Sequence, residues 1–117
     1  MAVNIIGGSV SPSTALLTNA QTGTTYTLAL TDANNTVVEL SNTSTITVTV
    51  PTNTSVAFPI GAQVQLLQTN TGQVTVAGAS TVTVNGTPGL KLRTQWSFAT
   101  LIKRDTNSWV LVGDVSA

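Results

Sequence analysis

Four carboxylates, Asp32, Glu39, Asp105 and Asp114, have the strongest claim to chemistry in this 117-residue chain. Histidine and cysteine are both absent. Acyl-transfer triads, thiolate nucleophiles and the usual zinc sites therefore lack their parts. What remains is glycosidase-type chemistry, in which two carboxyl groups face one bond. Asp32 opens the turn Asp32-Ala33-Asn34-Asn35 and Glu39 lies on the strand that follows, so the two can approach each other. A plainer reading accounts for them better. Asp32 initiates a turn by bonding local N–H groups, and Glu39 faces solvent or a lysine. Asp105 is a second turn residue, and Asp114 follows Gly113 at the end of the last strand. Gly7-Gly8 lacks the strand–helix setting of a phosphate loop. The chain is read as a non-enzyme with no cofactor, no metal and no catalytic residue.

Other residue classes point to surfaces. The stretch Thr45-Ile46-Thr47-Val48-Thr49-Val50 sets an apolar row against a threonine row, and threonine occupies 23 positions in all. Thr-X-Thr on a flat strand suits ice-binding β-solenoids only when the pair repeats in register on many stacked strands. No fixed period links these threonines, so a solvated face or a subunit contact is expected instead. Trp96, Trp109 and Tyr26 are the large aromatics that could stack on a sugar. Each lies on an alternating strand, which favours core packing. Near the N-terminus, Val3, Ile5 and Ile6 are candidates for contact with a capsid or a sister subunit. Asn-X-Ser/Thr occurs at Asn34, Asn42, Asn53 and Asn85, as expected from composition in a chain so rich in Asn and Thr.

Charge narrows the partners. Only 7% of residues are charged and the net charge is zero, against about 25% charged in ordinary domains. A neutral polar surface loses little hydration on contact and has little self-repulsion. The composition thus favours a homo-oligomer or an assembly component. Lys91/Arg93 and Lys103/Arg104 are too few to displace counterions from nucleic acid. The opening MAVNIIGGSV has neither the positive n-region nor the apolar run of a secretory signal. No apolar run approaches a membrane span.

The elements that must position these residues are strands. Period-2 alternation marks 24–31, 37–41, 45–50, 63–69, 73–78, 80–84, 92–104 and 108–114. Turn compositions separate them: DANN at 32–35, Asn70-Thr71-Gly72 as a hairpin loop whose Gly supplies positive φ, and Asn85-Gly86. The paired echo TVTV at 47–50 and 81–84 is too short to define a solenoid. Residues 1–23 lack a sustained period and are read as an extended N-terminal arm, with at most a turn or two of helix in TALLTNAQ. The remainder, 24–117, is read as one all-β domain, an antiparallel β-sandwich or jelly-roll-like fold.

Four landmarks resemble a β-domain recurrent in structural proteins of tailed bacteriophages, including those of cyanobacteria and actinobacteria. They are Leu-X-Leu-X-Asp at Leu28 to Asp32, Thr-Val-Pro-X-Asn at Thr49 to Asn53, Phe-Pro-X-Gly at Phe58 to Gly61, and Trp-X-Leu-X-Gly-Asp at Trp109 to Asp114. The resemblance covers roughly residues 25–114, omits the arm, and brings no catalytic residues. In that family the domain often ends a tail-fibre or minor tail chain. The start at Met1 and the short length are read here as a free-standing copy. The resemblance then implies a capsid decoration, or cement, protein: made in the host cytoplasm, bound outside the capsid as a homotrimer, and touching the major capsid protein through Val3, Ile5 and Ile6. Three such side chains contribute about 1.5–3 kcal/mol each when buried. The alternative is a receptor-binding tip that grips host polysaccharide, and a tail-tube or baseplate subunit is a third placement.

Overall fold

A computed structural model describes residues 15–117. Among these residues eleven strands form two sheets. The strands are β1 (Leu17–Gln21), β2 (Thr25–Thr27), β3 (Thr36–Leu40), β4 (Ile46–Val50), β5 (Gln63–Gln68), β6 (Val74–Gly78), β7 (Thr83–Gly86), β8 (Lys91–Leu92), β9 (Phe98–Asp105), β10 (Ser108–Gly113) and β11 (Val115–Ser116). One short 3-10 turn, Leu30–Ala33, interrupts the run between β2 and β3. The six-stranded sheet has the order β1-β3-β5-β9-β10-β7, and the five-stranded sheet β11-β8-β6-β4-β2.

The pairing corrects the antiparallel expectation. β1, β3 and β5 run parallel in one sheet, and β2, β4 and β6 run parallel in the other. The chain alternates between sheets, so β1/β2, β3/β4 and β5/β6 are three stacked rungs of a solenoid-like arrangement. Antiparallel pairing enters with β9, which closes on β5 and on β10, and with β8, which joins β6 to β11. β7 returns parallel to β10.

The alternation does specify which side chains face inward. Val38, Leu40, Ile46, Val48, Val50, Val64, Leu66, Val74, Val76, Leu92, Leu101, Trp109 and Leu111 form one core between the sheets. Trp109 meets Phe58 edge to face at 5.2 Å, the favoured arrangement for paired rings.

Several local expectations change. Residues 17–21, read as part of the arm and as a helix candidate, are strand β1. Gln68 and Val74 lie in different sheets, so Asn70-Thr71-Gly72 is a rung corner instead of a hairpin. Gly72 is needed there for close approach: its N–H donates to Asn42 O at 2.8 Å, and a Cβ would strike the backbone oxygens of Asn42 and Ser44. Asn85-Gly86 lies within β7 and does not form a turn. The run 92–104 breaks at Thr94–Ser97, where Ser97 N donates to Thr94 O.

Candidate functional site

The acidic residues take structural positions. Asp32 is 1% exposed. Its Oδ2 accepts from the Tyr26 hydroxyl at 2.6 Å and from Ala29 N at 2.8 Å, and its Oδ1 accepts from Asn19 Nδ2 at 2.9 Å. Asn19 also donates to the Tyr26 oxygen, and Gln21 Nε2 donates to Asn19 Oδ1 at 2.7 Å. The parallel register sets Asn19 beside Val38 and Tyr26 beside Val48. These inward side chains of the first rung therefore make a polar layer over the end of the core. Burial, the hydrogen bond to Asp32 and its negative charge push the Tyr26 phenol up to about 12. Asp114 is bound in fork geometry by Arg93, Nε to Oδ1 at 2.8 Å and Nη2 to Oδ2 at 2.9 Å, with the Ser97 hydroxyl donating to Oδ2 at 2.8 Å. The Arg93 and Ser97 hydrogen bonds hold the Asp114 carboxyl below its usual range. Asp105 Oδ1 accepts from Thr106 N. Among the described residues, no three His, Cys, Asp or Glu side chains are placed to hold a metal ion.

One buried cation escaped the sequence reading. Lys103, 2% exposed on β9, donates to Asn53 Oδ1 at 2.6 Å and to Phe58 O at 2.7 Å. It fastens the 12-residue connection 51–62, which crosses from β4 in one sheet to β5 in the other. Residues of the four sequence landmarks thus occupy the joints of the fold. Asn53 and Phe58 hold Lys103. Gly61 adopts φ 91, a conformation that favours glycine. Asp32 and Asp114 anchor the two networks above.

The large aromatics divide. Trp109 is in the core and Tyr26 is half-buried, in line with core packing. Trp96 is 66% exposed, which overturns that expectation for it. Its φ is 73, and its N–H donates to Gln68 O at 2.6 Å. Gln68 is itself buried, its side chain bonded to Val74 N and Asn70 O. A bulky residue in the left-handed region costs about 1–3 kcal/mol, and this anchored turn holds it there.

Trp96 precedes β9 at the rim of an apolar face. Cross-strand register puts Ile102 beside Val110, Thr100 beside Val112 and Leu67 beside Phe98 on the outer side of the six-stranded sheet. Phe98 is 41% and Val112 46% exposed. By strand alternation Glu39 and Arg104 are the charged residues of this side, on β3 and at the end of β9. Alternation groups Trp96, Phe98, Thr100 and Ile102 on one side of 92–104, but the opposite side, with Ala99 and Leu101, is equally apolar, and it is this second side that enters the core.

The outer side of the five-stranded sheet differs. Thr25, Thr47 and Thr75 stand in register on β2, β4 and β6, and Thr27 stands beside Thr49, followed by Ala77. The threonines lack a sequence period, yet the fold aligns them. Lys91 lies beside Thr75 and bounds the array.

Val3, Ile5 and Ile6 lie outside the described residues. No family model, no curated protein and no solved structure matches the chain.

Proposed function

We propose that the chain is a passive structural module of a bacteriophage virion, a decoration protein seated on the outer capsid surface. The observation that supports this reading is the outer face of the six-stranded sheet, where Leu67, Phe98, Ile102, Val110 and Val112, interspersed with Gln63, Gln65 and Thr100, form a weakly charged and largely apolar surface beside the exposed Trp96. Such a face gains from burial without stripping many ions of water. The four landmarks supply the link to virion proteins, and the major capsid protein is the proposed partner. Any contact through Val3, Ile5 and Ile6 adds to this face. The experiment is co-sedimentation with undecorated capsids, paired with immunogold labelling of virions. Head labelling together with loss of occupancy in Val112→Glu supports the reading. Tail labelling, or full occupancy by Val112→Glu, overturns it.

A second reading, a receptor-binding tip, is favoured by Trp96 alone. An indole presented outward by an anchored, strained turn offers a flat surface on which a sugar ring stacks, with the polar Arg93–Asp114 pair in the same segment. Adsorption of the protein to host cells, competed by host lipopolysaccharide and abolished in Trp96→Ala, is the result this reading requires. Capsid labelling without adsorption removes it.

A further inference from the structure

The first rung leaves two strand edges open at one end of the stack. Among the described residues β1 pairs only with β3, and β2 only with β4. Leu17 N donates to Asn35 O, and Gln21 O accepts from Ser41 N. In a parallel ladder bonding alternates along the strand, so Leu17, Asn19 and Gln21 face β3, while the N–H and C=O of Thr18 and Ala20 face outward along the sheet. On β2, Thr24 O accepts from Thr47 N and Leu28 N donates to Thr49 O. The same alternation turns the backbone groups of Thr25 and Thr27 to the open edge.

Folded proteins guard such edges with charge, proline or a bulge. The segments Leu17–Gln21 and Thr25–Thr27 contain no charged residue and no proline. At the far end of the five-stranded sheet the edge strand β11 is only two residues long. The layer behind the open edges is formed by half-buried Asn19, Gln21 and Tyr26 together with Leu17, which is 63% exposed, so a matching layer meets it polar group to polar group and covers that leucine.

We propose that this end is a β-addition site for a second copy of the chain, pairing β1 with β1 and β2 with β2 in antiparallel register. A twofold axis passing through both sheets reverses strand direction and stacking direction together while keeping each sheet in its own plane. One operation therefore satisfies both edges. A single extended segment fills only one of them, which is why a second copy is the favoured occupant. The near absence of net charge removes long-range repulsion between copies. The result is a dimer with two continuous sheets, in place of the trimer implied by the phage resemblance.

The test is sedimentation velocity of the full chain over a range of concentrations, with amide hydrogen exchange on the same samples. The expected species has twice the 12.0 kDa protomer mass. Thr27→Pro removes a donor that faces the open edge and breaks no bond to β4. Ala20→Lys places a guard charge on β1 beside its symmetry mate. Each variant is expected to weaken the dimer by at least about tenfold, while Val112→Lys on the outer sheet face leaves it intact. Ala20 is exposed, so that variant keeps the test open should Thr27→Pro fail to fold. In the native chain the amides of Thr18, Ala20, Thr25 and Thr27 gain protection as concentration rises. A monomer at all concentrations, a trimer, or a dimer indifferent to Ala20→Lys overturns the proposal. So does protection at these amides that does not depend on concentration, because it assigns the edge to the chain's own residues.

Discussion

The two outer faces of the molecule are built from the same period-2 strands over one core, yet they present opposite chemistry. The six-stranded sheet shows Leu67, Phe98, Ile102, Val110 and Val112, with Trp96 at its rim. The five-stranded sheet shows the aligned threonines Thr25, Thr47, Thr75, Thr27 and Thr49. A threonine surface keeps its hydroxyls hydrated and gains little by docking. An apolar surface gains with every Å² removed from water. Under the proposed function, docking therefore belongs to the first face and solvent to the second.

The largest way to break this contrast is to remove the support shared by both faces. Trp109→Ala takes away the buried indole that packs on Phe58, and a loss of about 3–5 kcal/mol is expected, read as a lower urea midpoint. Both faces should fail together. If the threonine sheet keeps its protection in hydrogen exchange while the other loses it, the two sheets do not share one cooperative core.

Next is the clamp between the sheets. Lys103→Met keeps the aliphatic stem but leaves Asn53 Oδ1 and Phe58 O without their donor. The expected loss is about 1–3 kcal/mol, with faster exchange confined to residues 51–62. An unchanged midpoint would show that the connection is held by its own packing.

The faces are compared directly by Val112→Glu and Thr47→Glu, one charge on each. Val112→Glu should lower capsid occupancy at least about tenfold, equivalent to about 1.4 kcal/mol, with fold stability changed by less than about 1 kcal/mol. Thr47→Glu should leave occupancy unchanged. The reverse outcome exchanges the roles of the faces. The threonine side is also expected to give no thermal hysteresis in ice, since its array spans three strands and ends at Lys91.

The smallest effect is a pH dependence at the polar layer. The Tyr26 phenol titrates near 12 in the fold and near 10 when unfolded. Its raised value means that the unfolded chain loses the proton first. The stability it contributes is present below pH 10 and declines as pH rises from about 10 towards 12. Tyr26 is only partly buried, so the decline is small. Denaturant midpoints measured across this window should fall less steeply in Tyr26→Phe than in the native chain. Equal slopes would show that neither burial nor Asp32 raises the phenol in the fold.

Much of this was legible from residue order. Alternation placed Val48 and Trp109 in a core and marked most strands to within a few residues. Asp32 was readable as a turn residue bonding local N–H groups, and it does accept from Ala29 N. The pairing was not legible. Rung corners of three and five residues alternate with connections of eight and twelve, so the stacked strands share no sequence period. Leu17 lies opposite Thr36, but Val37 lies opposite Gln65. For the same reason the threonines looked unaligned. Trp96 was read as one more alternating strand residue because nothing in its neighbours announces a positive φ.

By itself the sequence determined the class of surface each strand would hide and show, the lack of histidine and cysteine chemistry, and the near absence of charge. These are properties of side chains and of a two-residue repeat. The tertiary structure alone decided which strands meet, that β1 to β6 stack in parallel, that Lys103 is buried, that Trp96 faces out, and that among the described residues β1 and β2 end the stack. The physical reason is that alternation specifies a face but not a neighbour. Neighbours follow from the lengths of connections and from the hydrogen bonds that only the assembled sheets can form.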